Sequence, residues 1–328
     1  MPSEIKMTHQ VNQYPHEKEF LSPFVNKISL QPKGGYGNIY IVEPYSGVQL
    51  EFIDFDMKGI EVPAIEDNGV LILNYCFSGR YEMKIPGDRY VYVTGGLLTV
   101  DMSPPSGRTI FPVGKYSGIE ISIKLSEIQK NCPAAWAECG IDFVKIRQLL
   151  GDSKGSYIAQ ATPEWNRMAW ELAEHIINAD SAIENYRFLL LKLLWSLKEE
   201  KQINTIFNPT FLTAGQRAIV RRTEALLTKD LRCRYIIDDV AALEGISAPS
   251  LKKYFTQVYG KPISLYLKDL RVEKAKVLLT DSRMNIADIA IEVGYEHQGK
   301  FGTMFHQETG VSPLEYRRIH HHMSVPEE

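Results

Sequence analysis

Histidine is missing where a metal enzyme would need it. The eight histidines of the 328-residue chain stand at positions 9, 16, 175, 297, 306, 320, 321 and 322, and none falls between 28 and 125, the stretch with the texture of a β domain. An imidazole-ligated catalytic metal is therefore not expected there. The same stretch holds no nucleophile–base motif, so neither enzymatic activity nor a cofactor is expected. Cysteine is sparse too. Cys76, Cys132, Cys139 and Cys233 make no C-x-x-C pair, which argues against structural zinc or a dithiol redox centre. Cys132 and Cys139 lie seven apart, but free thiols are the expectation in a reducing compartment. No apolar run approaches the roughly 20 residues that span a bilayer; Phe188 to Leu197 reaches about ten and is bounded by charges. The opening Met-Pro-Ser-Glu-Ile-Lys lacks a signal peptide's apolar core, so a cytoplasmic protein without membrane contact is expected.

What is present divides by texture. Residues 1–27 are polar and mixed and read as a partly ordered arm. Between 28 and 125, short segments rich in Val, Ile, Tyr and Phe alternate with turn residues. They begin at Gly37, Val48, Gly69, Gly79, Arg89, Gly96 and Tyr116, the spacing of an antiparallel sandwich or barrel. Tyr81-Met83-Ile85 and Tyr90-Tyr92 mark one wall as apolar and aromatic. From 126 to 203 the periodicity becomes helical. Thr162-Pro163-Glu164 is a helix start, with Thr as cap and Pro in the first turn. A second helix is predicted from Ile183 to Lys201, with Tyr186, Leu190, Leu193, Leu194 and Leu197 at helical spacing. Its apolar residues cover more than one face: one can pack on the β domain and another is left for a partner subunit. Residues 204–213, with Asn208-Pro209, read as a linker to a last domain at 214–320.

That last domain contains the same device twice. Val240-Ala241, Gly245, Leu251 and Phe255, and Gly260 recur as Ile289-Ala290, Gly294, Phe301 and Phe305, and Gly310. Two short helices crossing steeply need a turn residue that tolerates a left-handed backbone, which Gly supplies, and a small Ala for close approach. Leu251/Phe255 and Phe301/Phe305 sit one turn apart on the predicted buried face. Ser247 is placed to cap the second helix of the first unit. Ser264 to Thr280 reads as one connecting helix. A rigid spacer of this kind suits two helices in adjacent major grooves, about 34 Å apart. Residues 215–322 carry 17 Lys and Arg against 13 Asp and Glu, while the remainder is net −7, a basic module on an acidic body.

These residues resemble the DNA-binding domain of the AraC/XylS family of bacterial transcription regulators. The likeness extends over Ala241-x-x-x-Gly-Ile-Ser, Gly-Lys-Pro262, Arg271-x-x-x-Ala275-x-x-Leu-Leu279, Ile286-x-x-Ile289-Ala290-x-x-Val-Gly294-Tyr295 and Gly310-Val-Ser-Pro313-x-x-Tyr-Arg317. The resemblance implies double-stranded DNA as partner. It implies Ser247, Pro249, Ser250, Lys252 and Lys253 as contacts from the first unit, and Gln298, Lys300 and Thr303 from the second. Gln can pair with adenine and Lys can donate to guanine or phosphate. Gly299 and Gly302, with no outward Arg, depart from the family pattern, so the second unit is expected to lean on backbone contacts. The resemblance further implies RNA polymerase as a partner, an activator's role, and homodimerisation through the helices of 126–203. It also implies a cupin-like barrel whose lumen takes a small-molecule effector.

Tyr75, Arg80, Tyr81, Tyr92 and Phe111 are the candidate lining residues of that lumen, with Arg80 as anchor for an anionic group. Against this, strand aromatics are commonly plain core, and Arg80, just after Ser78-Gly79, can be a turn residue facing water. The aromatic strands favour an apolar or aromatic effector slightly over a sugar. A rival reading keeps the DNA-binding module but gives the β domain only a role in oligomerisation; a ligand that stabilises the protein would separate the two.

Overall fold

The computed structural model describes residues 14–32, 34–62, 69–85, 87–102, 107–143, 157–198, 203–204, 210–281 and 283–321. The chain divides into two compact units, the first ending at Phe211 and the second beginning at Leu212.

The first unit is built on a large antiparallel sheet. Its strands are β1 (His16–Phe20), β2 (Val25–Leu30), β3 (Tyr36–Tyr45), β4 (Val48–Asp56), β5 (Gly59–Val62), β6 (Val70–Ile85), β7 (Arg89–Thr94), β8 (Leu97–Asp101), β9 (Gly107–Ile110), β10 (Lys115–Lys124), β11 (Tyr157–Ala161) and the two-residue β12 (Ile203–Asn204). Across the sheet they run β1-β2-β3-β4-β10-β6-β8-β11-β12. β7 pairs with the second half of β6, and β5 pairs with β9 as a separate ribbon. β1, β11 and the short β12 lie where no strand was expected. β1 falls inside the segment read as an arm: all five of its residues are exposed, so it carries no apolar alternation to signal a strand. β11 falls inside the segment read as helical and extends the sheet beside β8.

Both faces of the central strands are buried. On one, Leu50, Leu73, Tyr75, Leu98 and Ile121 pack against Trp136, Trp165, Leu172 and Leu190. Helices α1 (Leu125–Lys130), α2 (Ala134–Glu138), α3 (Pro163–Ile177) and α4 (Ile183–Lys198) follow the strands here, and Trp136 comes from α2, Trp165 and Leu172 from α3 and Leu190 from α4. On the other, the inner face, Ile39, Ile53, Phe55, Met83, Val93 and Tyr116 form a second cluster with Ile60 and Phe111. α3 starts as its sequence dictates: the Thr162 side chain accepts the Trp165 N–H at 3.2 Å and Pro163 opens the first turn. The α3–α4 turn is held by Asp180, which accepts from Ala182 N–H, Asn185 Nδ2 and His175 Nδ1. The backbone donor of Ala182 leads in drawing its carboxyl down to about 2.

The second unit is helical: α5 (Ala214–Lys229), α6 (Ile237–Leu243), α7 (Ala248–Tyr259), α8 (Ile263–Asp281), α9 (Ile286–Glu292), α10 (Gln298–Thr309) and α11 (Pro313–His321). α5 opens with a reciprocal capping box between Thr213 and Gln216. The spacer α8 runs 19 residues, about 28 Å along its axis.

Candidate nucleic-acid interface

Each half of the second unit is a helix, a tight turn and a second helix. In the first half, α6 gives way to α7 through Gly245, at φ +67°, and Ser247, whose hydroxyl accepts the Ser250 N–H. Leu251, Phe255, Val258 and Tyr259 are buried on α7; each full burial of a Leu or Phe contributes about 1.5–3 kcal/mol. Phe255 packs edge-on against Tyr266 of α8 and beside Tyr259, which ties the reading helix to the spacer. In the second half, α9 is capped by Asn285, turns at Gly294 (φ +87°) and leads into α10. There Phe301, Met304 and Phe305 join Ala275, Leu279, Ile289 and Ala290 in one core. Gly260 and Gly310 end α7 and α10 in the left-handed conformation.

The opposite faces of α7 and α10 are open. Pro249, Lys252, Lys253 and Thr256 are exposed on α7, and Gln298, Gly299, Lys300 and Thr303 on α10. Ser247 is exposed and Ser250 half-buried, their hydroxyls 3.0 Å apart; both are engaged in the cap. The Thr303 hydroxyl donates to the Gly299 carbonyl within its own helix.

Six cations of this unit are held in ion pairs. Arg222 is paired with Glu244, Arg232 with Asp230, Lys261 with Asp269, Lys268 with Glu308, Lys274 with Glu292 and Lys276 with Glu273. Lys252, Lys253 and Lys300 make no ion pair among the described residues, and neither do Lys229, Arg234 and Arg318.

Arg271 and Arg317 are half-buried and engage backbone carbonyls. Arg271 donates to the carbonyls of Leu231 and Cys233 and lies 5.7 Å from the Tyr295 ring. Arg317 donates to the carbonyls of Leu279 and Met284 at the end of α8. Arg271 thereby ties down the turn after α5, and Arg317 satisfies a carbonyl in the last turn of α8 together with one just beyond it.

The residues expected to line a pocket in the β unit do not converge. Tyr75 lies on the helix-facing side, its ring 4.9 Å from Trp165 and its hydroxyl donating to Asn166. Tyr81 and Phe111 belong to the inner cluster, where both contact Tyr116. Unbroken alternation would put Tyr75 and Tyr81 on one face. An irregularity in the β6–β10 pairing leaves Phe77 unmatched between Cys76 and Ser78, and one extra residue turns the strand over. Tyr92 donates to Glu82 one strand away, and Arg80, paired with Thr94 across the ladder, lies on neither apolar cluster. Tyr186, Leu190, Leu193, Leu194 and Leu197, expected at a dimer interface, are all buried in the core of their own unit. The exposed apolar side chains of α4 are instead Phe188 and Trp195.

One constellation the sequence reading did not single out is polar. Gln49 and Glu51 on β4, Asn74 on β6, Thr99 and Asp101 on β8, and Glu120 and Ser122 on β10 are all buried. The register places Glu51 beside Glu120, Glu120 beside Asn74 and Asn74 beside Thr99, so they share the inner face. Tyr116 donates to Asn74 Oδ1 at 2.9 Å, and the Tyr81 and Thr99 hydroxyls are 3.1 Å apart. Burial, foremost, raises the Glu120 carboxyl to about 7 and pushes Glu51 well above the usual carboxylate value. The signal was there, in Val-Gln-Leu-Glu-Phe and Ile-Glu-Ile-Ser-Ile, but it is the pattern of any strand with one wet face.

The model of a helix-turn-helix domain matches residues 240–319, and the fold joins an antiparallel β region to a helical DNA-binding region. Residues 240–319 are thus a helix-turn-helix domain of the AraC type. It is 27% identical over 162 residues to the HTH-type transcriptional activator RhaR of Escherichia coli K12, 49% of this chain and 55% of that protein. The chain thus spans about half the length of the curated relatives it matches. Among solved structures it is similar to the C-terminal domain of AraT, a response regulator from Geobacillus stearothermophilus, at 33% identity over 31% of this chain and 84% of that one, with a TM-score of 0.30. It is also similar to an AraC-type transcriptional regulator from Chromobacterium violaceum, at 23% identity over 35% and 100% of the two chains, TM-score 0.31. No helix among the described residues is long and apolar enough to cross a membrane.

Proposed function

We propose that the protein is a ligand-responsive transcription activator that sets α7 and α10 into adjacent major grooves of double-stranded DNA. The observation that carries this is the pair of exposed reading-helix faces whose lysines, Lys252, Lys253 and Lys300, make no ion pair among the described residues. Pro249, Gln298 and Thr303 share those faces and supply the remaining side-chain contacts, with Ser247 and Ser250 at the start of α7. The name of the relative RhaR supports the activator's role and, with it, a partnership with RNA polymerase.

In this reading the β unit holds a small-molecule effector that favours one arrangement of the chain over another; a ligand bound equally to both would change nothing. The protein acts as a homodimer through α3 and α4, using the exposed Phe188 and Trp195 rather than the buried leucines of the same helix. Titration of a labelled fragment from beside the protein's own gene tests the reading. Lys253→Ala should weaken specific binding by about 1–3 kcal/mol and make its salt dependence shallower by about one unit of slope. Unchanged affinity would remove α7 from the groove.

A further inference from the structure

We propose that the inner face of the β unit binds a small organic cation, a ligand carrying a protonated amine or a guanidinium, with Glu51 and Glu120 as its counter-charges. Both are more than nine-tenths buried and stand side by side across the β4–β10 ladder. Glu51 takes a 2.6 Å hydrogen bond from Gln49 Nε2 on one oxygen only. Its other oxygen, Oε2, and Gln49 Oε1 are buried and accept nothing from the described residues, although Gln49 and Glu51 are each 1% exposed. Two buried acceptors without donors, two residues apart on one strand face, are a rare and costly feature of a folded chain.

Ser122, opposite Gln49 in the ladder, also has a buried hydroxyl without a partner, so what the cluster lacks is positive charge. Burial, Glu120 and Gln49 act on Glu51, and burial, Asn74, Asp101 and Ser122 act on Glu120; none of these groups is basic. An anionic ligand would add charge of the sign already in excess. A metal ion is disfavoured because no three His, Cys, Asp or Glu among the described residues are grouped to hold one. An organic ammonium supplies the N–H donors and the charge at once. The rings of Tyr81 and Tyr116, 5.5 Å apart and edge to face, lie on the same face beside Asn74 and Thr99 and offer its body an aromatic surface. The raised carboxyls then have a simple meaning: empty, the pair holds protons, and a bound cation displaces them.

This inference rests on the β unit being the sensor, but it is read without DNA. The full chain is melted with primary amines, guanidines and quaternary ammonium compounds, each beside a neutral isostere, such as tyramine beside tyrosol and glucosamine beside glucose. At about 100 times its Kd, a cation that fits raises the melting temperature by about 5 °C or more, and its isostere does not. Glu51→Gln/Glu120→Gln, or Glu51→Gln alone should the double variant not fold, melts at or above the wild type without ligand and loses the shift. Calorimetry in buffers of different ionisation enthalpy shows proton release on binding. The proposal is overturned if no cation separates the wild type from the Gln variants, or if neutral isosteres shift the melt equally. A cation that binds yet leaves DNA occupancy unchanged keeps the site and removes the effector role instead.

Discussion

Gly245 and Gly294 occupy the same place in the two helix-turn-helix units and both have positive φ, yet their surroundings differ. A Cβ at Gly245 would meet nothing within 4 Å, so Gly245→Ala costs only the left-handed penalty of about 1–2 kcal/mol. A Cβ at Gly294 would run into the Leu231 carbonyl and the Arg271 guanidinium, and overpacking brings the expected cost of Gly294→Ala to about 2–5 kcal/mol. Chemical denaturation of the two variants ranks them; equal losses would mean that Arg271 does not clamp this turn. The buried acids give a second prediction at the same scale. Glu120 ionises near 4.5 when unfolded and near 7 when folded, facing Glu51, Asp101, Tyr81 and Tyr116. Between those values the folded state holds more protons, so this group's contribution to stability falls as pH rises through the window and is level above it. Glu120→Gln should flatten that part of a melting-temperature profile. Identical slopes for variant and wild type would place the titration elsewhere.

Among elements, α10 is the one whose composition works against its own stability. Gly299 and Gly302 stand within the helix with open space around them, so an added methyl group would meet nothing. Gly302→Ala should therefore stabilise the protein by roughly 0.5–1 kcal/mol. If the helix backbone approaches phosphates closely at these positions, the same change lowers DNA affinity. A melt and a binding titration on one sample read both effects, and a variant tighter on DNA as well as more stable would leave the glycines without a role at the interface. β6 makes the complementary point about legibility. Its apolar and aromatic run identified a strand, but the face each residue takes depends on one unmatched residue, Phe77, which no periodicity announces. β1 was illegible for another reason: a fully exposed edge strand is held by its hydrogen bonds to β2, not by an apolar face.

At the scale of the whole molecule, the open question of assembly has a definite handle. Phe188 is 65% exposed and Trp195 46%, two turns apart on α4, whereas the five residues of the expected interface are nearly inaccessible. Phe188→Glu/Trp195→Glu should convert a dimer to a monomer in solution-mass measurements without loss of the melt, while Leu190→Glu should unfold the first unit. A double variant that stays dimeric moves the interface off this helix. The sequence by itself determined the helix-turn-helix repeat, its caps and its turn glycines, because those depend on neighbours three to five residues apart and on local backbone conformation. It determined equally that strands lie between 28 and 125. Only the tertiary structure decided which alternating polar residues face water and which are buried. The two look identical along a strand until another layer covers one of them. That is why Glu51 and Glu120 emerge as a buried pair only after folding, and why the leucines of α4 turn out to serve their own core.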